Sequence, residues 1–132
     1  MSKGPLLAVD LGEQGAGLAF SPDGRLVFSF GRLSFTTKTE LTKKLIKKAK
    51  AKRATKVIFG LPLNQKGQST KQSQWVKEMA QHFSQESKIG ISFQDEYLTS
   101  WQAQENLKTK DREKGLDQEA ARLILEEYLK NG

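Results

Sequence analysis

The sequence predicts an α/β fold, a mixed five-stranded sheet in which three antiparallel strands are followed by parallel ones, flanked by helices on both faces. Three observations predict it. Short strand-like runs come first, and the second and third of them flank Pro22-Asp23-Gly24, a tight-turn sequence. From residue 40 onward, apolar residues at helical spacing alternate with brief apolar runs, a pattern that joins parallel neighbours by right-handed crossovers. The length of 132 residues suits a single domain, 1–132, long enough to bury a real core.

Element by element, Leu6–Leu11 is a continuous apolar run interrupted by one acid, as expected of a central strand covered on both faces. Ala16–Ser21 and Arg25–Phe30 complete an antiparallel meander around the Pro-Asp-Gly turn. Glu40–Arg53 has helical spacing, with Leu41, Leu45, Ile46 and Ala49 on one side and Lys43, Lys44, Lys47, Lys48 and Lys50 on the other. Lys56–Phe59 is a short strand stopped by Gly60-Leu61-Pro62. The polar loop Asn64–Ser69 leads into a helix whose inner face carries Trp75, Val76, Met79 and Phe83. Gly90 introduces the strand Ile91–Phe93, which ends in Asp95-Glu96. Two helices, about Ser100–Lys108 and Asp117–Lys130, close the chain on either side of the charged segment Thr109–Gly115.

Composition narrows the function classes. Hydrophobic residues at 36% exclude disorder for most of the chain. No apolar run approaches the roughly 20 residues of a membrane span, and the first residues lack the apolar core of a secretory signal, so no membrane partner is expected. The absence of cysteine excludes disulfides, thiol nucleophiles and Cys-based zinc sites, and is compatible with the cytoplasm. Twenty-two Lys and Arg against 15 Asp and Glu give a net charge of +7, which bears on partners and favours an acidic one such as nucleic acid.

Three acids occupy positions where chemistry gathers. Asp10 sits at the carboxyl end of the first strand, where ligands of open α/β sheets collect; the alternative is a solvated acid that opens a turn with Gly12. Asp95-Glu96 repeats the arrangement on the last strand, and if first and last strands are neighbours, one of the pair lies beside Asp10; the alternative is a pair of loop acids. Asp117 extends the apolar stripe of Ala120, Ala121, Ile124, Leu125 and Tyr128 by one turn, which turns it inward; the alternative is a helix N-cap. Facing carboxylates repel unless a cation or proton lies between them. An all-carboxylate cluster suits hard divalent cations, Mg²⁺ or Mn²⁺, and with a basic surface beside it suggests a nuclease.

Five motifs occur in order: Ala8-Val9-Asp10-Leu11-Gly12, Phe59-Gly60-Leu61-Pro62-Leu63-Asn64, Asp95-Glu96-Tyr97-Leu98-Thr99-Ser100, Asp117-Gln118-Glu119-Ala120-Ala121 and Ile124-Leu125-Glu126-Glu127-Tyr128-Leu129. From Leu6 to Leu129 the chain resembles the YqgF family, also called RuvX, of bacterial RNase H-like proteins. The resemblance implies an RNase H-like fold and a cytoplasmic nuclease that matures the 5′ end of precursor 16S ribosomal RNA. It also keeps open the family's older reading, Holliday junction resolution. The family's acids carry over onto Asp10, Glu96 and Asp117 as catalytic residues and metal ligands for Mg²⁺ or Mn²⁺, with Asp95 in support. Two departures remove positive charge near them: Glu13-Gln14-Gly15 stands where the family has a Thr-Lys-Arg-like stretch, and Tyr97 stands where it has Arg.

The partner expected is nucleic acid, precursor rRNA or alternatively branched DNA, met by a monomer or weak homodimer. Residues 38–56 carry nine basic residues against Glu40 alone. Lys43, Lys44, Lys47 and Lys48 are therefore candidate backbone contacts, with a solvated helix face as the alternative. Asn64 and Gly67 are candidate contacts through a loop that is otherwise a plain connection. A non-catalytic RNA-binding assembly factor is a further alternative, for which the two departures leave room. The sole histidine, His82, is assigned no role.

Overall fold

A computed structural model describes residues 4–12, 15–63, 68–95 and 112–131, side chains at 112–118 and 131 excepted. Strands β1 (Leu6–Leu11), β2 (Gly15–Ser21), β3 (Phe28–Ser34), β4 (Lys56–Leu61) and β5 (Gly90–Asp95) form one sheet in the order β3-β2-β1-β4-β5. β2 runs antiparallel to its neighbours β1 and β3, whereas β4 and β5 run parallel to β1. Helices α1 (Lys38–Ala51) and α2 (Lys71–Ser87) cover one face and α3 (Arg112–Asn131) the other. This is the mixed, doubly covered sheet expected from the element order.

Two cores follow from the pleat. Leu7, Val9 and Leu11 of β1 pack with Leu41, Leu45 and Ala49 of α1 and with Val76, Met79 and Phe83 of α2. Leu6 and Ala8 point the opposite way and join Ala19 and Ile58 beneath Ala121, Ile124 and Leu125 of α3. A strand covered on both faces cannot alternate apolar with polar, which is why Leu6–Val9 reads as an unbroken apolar run. Trp75 and Phe93 pack at the margin of the larger core.

Helices α1 and α2 start on bonded caps. Thr37 Oγ1 accepts the Glu40 N–H, and the Glu40 carboxylate accepts the N–H and hydroxyl of Thr36. The Thr36 N–H, followed by Lys44, holds the Glu40 carboxyl below its ordinary pKa. α1 accordingly begins at Lys38, two residues before the position expected from hydrophobic spacing. α2 opens on a capping box in which Thr70 and Ser73 satisfy each other's backbone N–H groups.

Three expectations need correction. β3 begins at Phe28, because Asp23 Oδ1 accepts the N–H groups of Arg25 and Leu26 and so prolongs the turn through residues read as strand. The first and last strands are not neighbours, since β4 lies between β1 and β5. The closing helix starts at Arg112, taking in Gly115 and much of the charged segment read as a connection; Asp117 therefore lies within the helix and is not its N-cap. The helix expected at 100–108 lies outside the described residues.

Candidate active site at the carboxyl end of the central strand

Asp10 is the strand residue that breaks the buried run of β1, and it is half-buried where Leu6–Val9 and Leu11 are buried. Strand alternation puts it on the face of Leu6 and Ala8, under α3. It belongs to the strand itself, so the turn-acid alternative does not hold. Asp10 stands directly opposite Gly17 on β2, and Gly17 stands opposite Arg32 on β3. On its other side the register pairing Val9 with Phe59 brings Gly60 of β4 level with Asp10, and Gly60 pairs with Gln94 of β5. One row across all five strands therefore reads Arg32, Gly17, Asp10, Gly60, Gln94. With glycine on both sides, neither cross-strand neighbour of Asp10 adds a side chain of its own beside the carboxylate.

α3 approaches this row from above. Lys56, at the start of β4, donates through Nζ to the Tyr128 hydroxyl at 3.3 Å, which fixes the carboxyl end of α3 over the amino ends of β4 and β1. The helix therefore runs antiparallel to both strands. From Tyr128 back to Asp117 is eleven residues, about 16 Å of helix. From Leu6 to Asp10 is four residues, about 13 Å of strand. The backbone of Asp117 is thus carried to the end of the sheet that holds Asp10, four residues before the buried Ala121.

Asp95, the last residue of β5, is exposed and follows the alternation of Ile91 and Phe93, which pack on the α1/α2 core. It therefore lies on the face opposite Asp10. Glu96, Glu13, Gln14, Tyr97, Asn64 and Gly67 lie outside the described residues. Among the described residues no three His, Cys, Asp or Glu side chains come together, since two of the three candidate ligands fall outside those whose side chains are described. The donor chemistry fits a hard divalent cation all the same. The candidate set is wholly carboxylate, the chain has no cysteine, and His82 is on α2, across the sheet from Asp10.

The basic helix is not beside the acid. α1 packs on the face of Leu7 and Val9, so the sheet separates its lysines from Asp10. The four candidate lysines also divide into two i,i+4 stripes along the helix. Lys44 Nζ donates to the Ser34 carbonyl at 2.7 Å and pairs with Glu40 at 3.1 Å, while Lys48 sits over the Phe30 ring, 5.3 Å from its centroid. Lys43 and Lys47 are exposed and make no such contact among the described residues. If α1 is a secondary backbone contact, Lys43→Glu with Lys47→Glu should weaken RNA affinity about tenfold and flatten its salt dependence, measured by filter binding across a salt series. An unchanged affinity identifies a solvated face.

The model of the RuvX family, described as Holliday junction resolvase, matches residues 4–131. This chain belongs to the RuvX family. A protein of Maridesulfovibrio salexigens named "Putative pre-16S rRNA nuclease" is 30% identical, over 94% of this chain and 96% of that one. A protein of the same name from Rickettsia akari is 32% identical, over 95% of this chain and 85% of that one. Among solved structures, Thermus thermophilus RuvC in complex with a Holliday junction matches with a TM-score of 0.61 at 11% identity, covering 98% of this chain and 96% of that one. The fowlpox virus resolvase with its junction DNA matches with a TM-score of 0.63 at 12% identity, covering 96% and 97%. At such identities the likeness establishes the fold, which is the RNase H-like one. No helix among the described residues is long and apolar enough to cross a membrane.

The RuvX membership agrees with the motif order read from the sequence. Sequence reasoning missed Arg32, which shares a row with Asp10. The available signal was Gly31, a glycine inside a strand-like run and therefore a candidate bulge.

Proposed function

We propose that this RuvX chain is a cytoplasmic, divalent-metal-dependent nuclease that cleaves the 5′ extension of precursor 16S rRNA. The observation that carries the reading is the setting of Asp10: a carboxylate on the central strand, between two glycines, at the sheet end to which α3 carries Asp117. The names of the relatives supply the substrate class.

Asp10, Glu96 and Asp117 are the residues that would hold Mg²⁺ or Mn²⁺. So held, the cation would supply a water of lowered pKa and would offset charge on the phosphate oxygens. The protein's part is to fix the carboxylates. Asp10 is held by a strand hydrogen-bonded on both sides, and Asp117 by a helix whose next turns are buried in the core. Neither flanking glycine adds a side chain that would hinder a phosphodiester approaching Asp10. Junction cleavage is the second reading, favoured by the family description and by the fold shared with two resolvases.

The test is cleavage of three end-labelled substrates: 5′-extended 16S precursor RNA, generic single-stranded RNA and a four-way DNA junction. Each is incubated with Mn²⁺, Mg²⁺ or chelator. Metal-dependent cutting of the precursor RNA supports the proposal. Cutting of the junction alone transfers it to the resolvase reading. Tight RNA binding without cutting points to an assembly factor built on a nuclease fold.

A further inference from the structure

A guanidinium from β3 lies against Gly15, near the carboxyl end of β1. Gly15 ends the stretch Glu13-Gln14-Gly15, where the resemblance to the family implies a Thr-Lys-Arg-like sequence. A Cβ placed on Gly15 would lie 2.6 Å from Arg32 Nη2 and 2.8 Å from its Cζ. The Arg32 guanidinium thus fills the space that a side chain at position 15 would enter.

A bulge aims it there. Ala19 pairs with Ser29 but Gly17 pairs with Arg32, so β3 carries one residue more than β2 over this stretch. Gly31 takes up the extra residue at φ +86°, a backbone conformation open to glycine. Unbroken alternation would put Arg32 on the face of Phe28 and Phe30. The inserted residue shifts the phase, so Phe30 and Leu33 pack on the α1/α2 core while Arg32 joins Gly17 and Asp10 on the opposite face. Gly15 is the diagonal cross-strand neighbour of Asp10, about 7–8 Å away between Cα atoms. The guanidinium therefore lies beside the carboxylate site and not within it. Arg32 is a cation on this face in the row of Asp10, while the lysines of α1 are across the sheet.

We propose that Arg32 binds a phosphate of the nucleic-acid strand next to the bond to be cleaved and so positions that strand against the carboxylates, an inference that rests on the nuclease reading above. The planar fork of a guanidinium, with five N–H donors, matches phosphate oxygens in pairs, and Arg32 is an exposed residue.

The test separates binding from chemistry. In an Asp10→Asn background, where the substrate survives, Arg32→Ala should weaken binding of the 5′-extended precursor RNA about tenfold. The slope of log affinity against log salt should become shallower by about one ion. Arg32→Lys should keep the slope and recover part of the affinity. In the otherwise native chain, Arg32→Ala should raise KM more than it lowers kcat, and its thermal midpoint should match the parent. A residue that merely braced the strand would move the midpoint and leave the salt slope alone.

Unchanged affinity, slope and KM in Arg32→Ala overturn the inference while leaving the nuclease reading standing if wild type cuts. Lost affinity in Arg32→Ala, with no cutting by wild type, keeps Arg32 as a phosphate contact and removes the nuclease reading. A wild-type chain that neither binds nor cuts overturns both.

Discussion

Asp10→Asn is expected to abolish metal-dependent cleavage and leave the fold intact. The substitution keeps the size and hydrogen-bonding shape of the side chain but removes its negative charge. Loss of a charged ligand forfeits several kcal/mol of stabilisation of the charge that builds up on the phosphate, roughly 10³-fold in rate. The same change asks little of the fold, because Asp10 is half-buried at a strand end between two glycines and no apolar packing depends on its charge. Single-turnover cleavage beside far-ultraviolet circular dichroism reads both effects. Activity within a few-fold of wild type, with the fold unchanged, removes Asp10 from the chemistry.

The second large effect falls on stability. Phe59 is 1% exposed on the interior strand β4, with its ring 5.9 Å from Phe83 in an edge-to-face arrangement and 6.4 Å from Phe93. It ties the sheet to α2. Truncating a buried aromatic of this kind costs about 3–5 kcal/mol, from lost transfer energy and the cavity left behind, out of a total of about 5–15 kcal/mol for a domain. Phe59→Ala should lower the thermal midpoint by roughly 10–15 °C. Phe93→Ala, in which a half-buried ring is lost from β5, should cost visibly less. Equal, small shifts in both would show that the core does not close over Phe59 as described.

Much of the architecture was legible because each face of the sheet demands its own apolar set. The unbroken run Leu6–Val9 announced a strand covered on both sides, and the stripe through Ala121, Ile124 and Leu125 announced a helix lying on it. Strand order was less legible, although a signal existed. Val57, Ile58 and Phe59 are all apolar and buried, as a central strand requires, whereas Ser92 and Gln94 alternate with Ile91 and Phe93, as an edge strand allows. That contrast separates β4 from β5 and puts β4 beside β1.

The start of β3 was hidden for a different reason. Leu26 and Phe28 are apolar yet more than half exposed, at 58% and 51%, so hydrophobicity marked residues there that bury little. The bulge at Gly31 then reset the alternation, which concealed on which face Arg32 would emerge. For the acids, residue type and spacing identified Asp10 and Asp117 as candidates that the fold carries to one end of the sheet. The same reading set the lysines of α1 beside them, because helical periodicity shows which residues share a helix face but not which face of the sheet the helix covers.

The central claim is that Asp10, Glu96 and Asp117 together hold a divalent cation. The most direct measurement is a Mn²⁺ titration followed by electron paramagnetic resonance on wild type, Asp10→Asn, Glu96→Gln and Asp117→Asn. Binding by wild type that weakens at least roughly tenfold in each of the three variants is the result the account predicts. Wild type that takes up no Mn²⁺, or variants that bind it as wild type does, would contradict it.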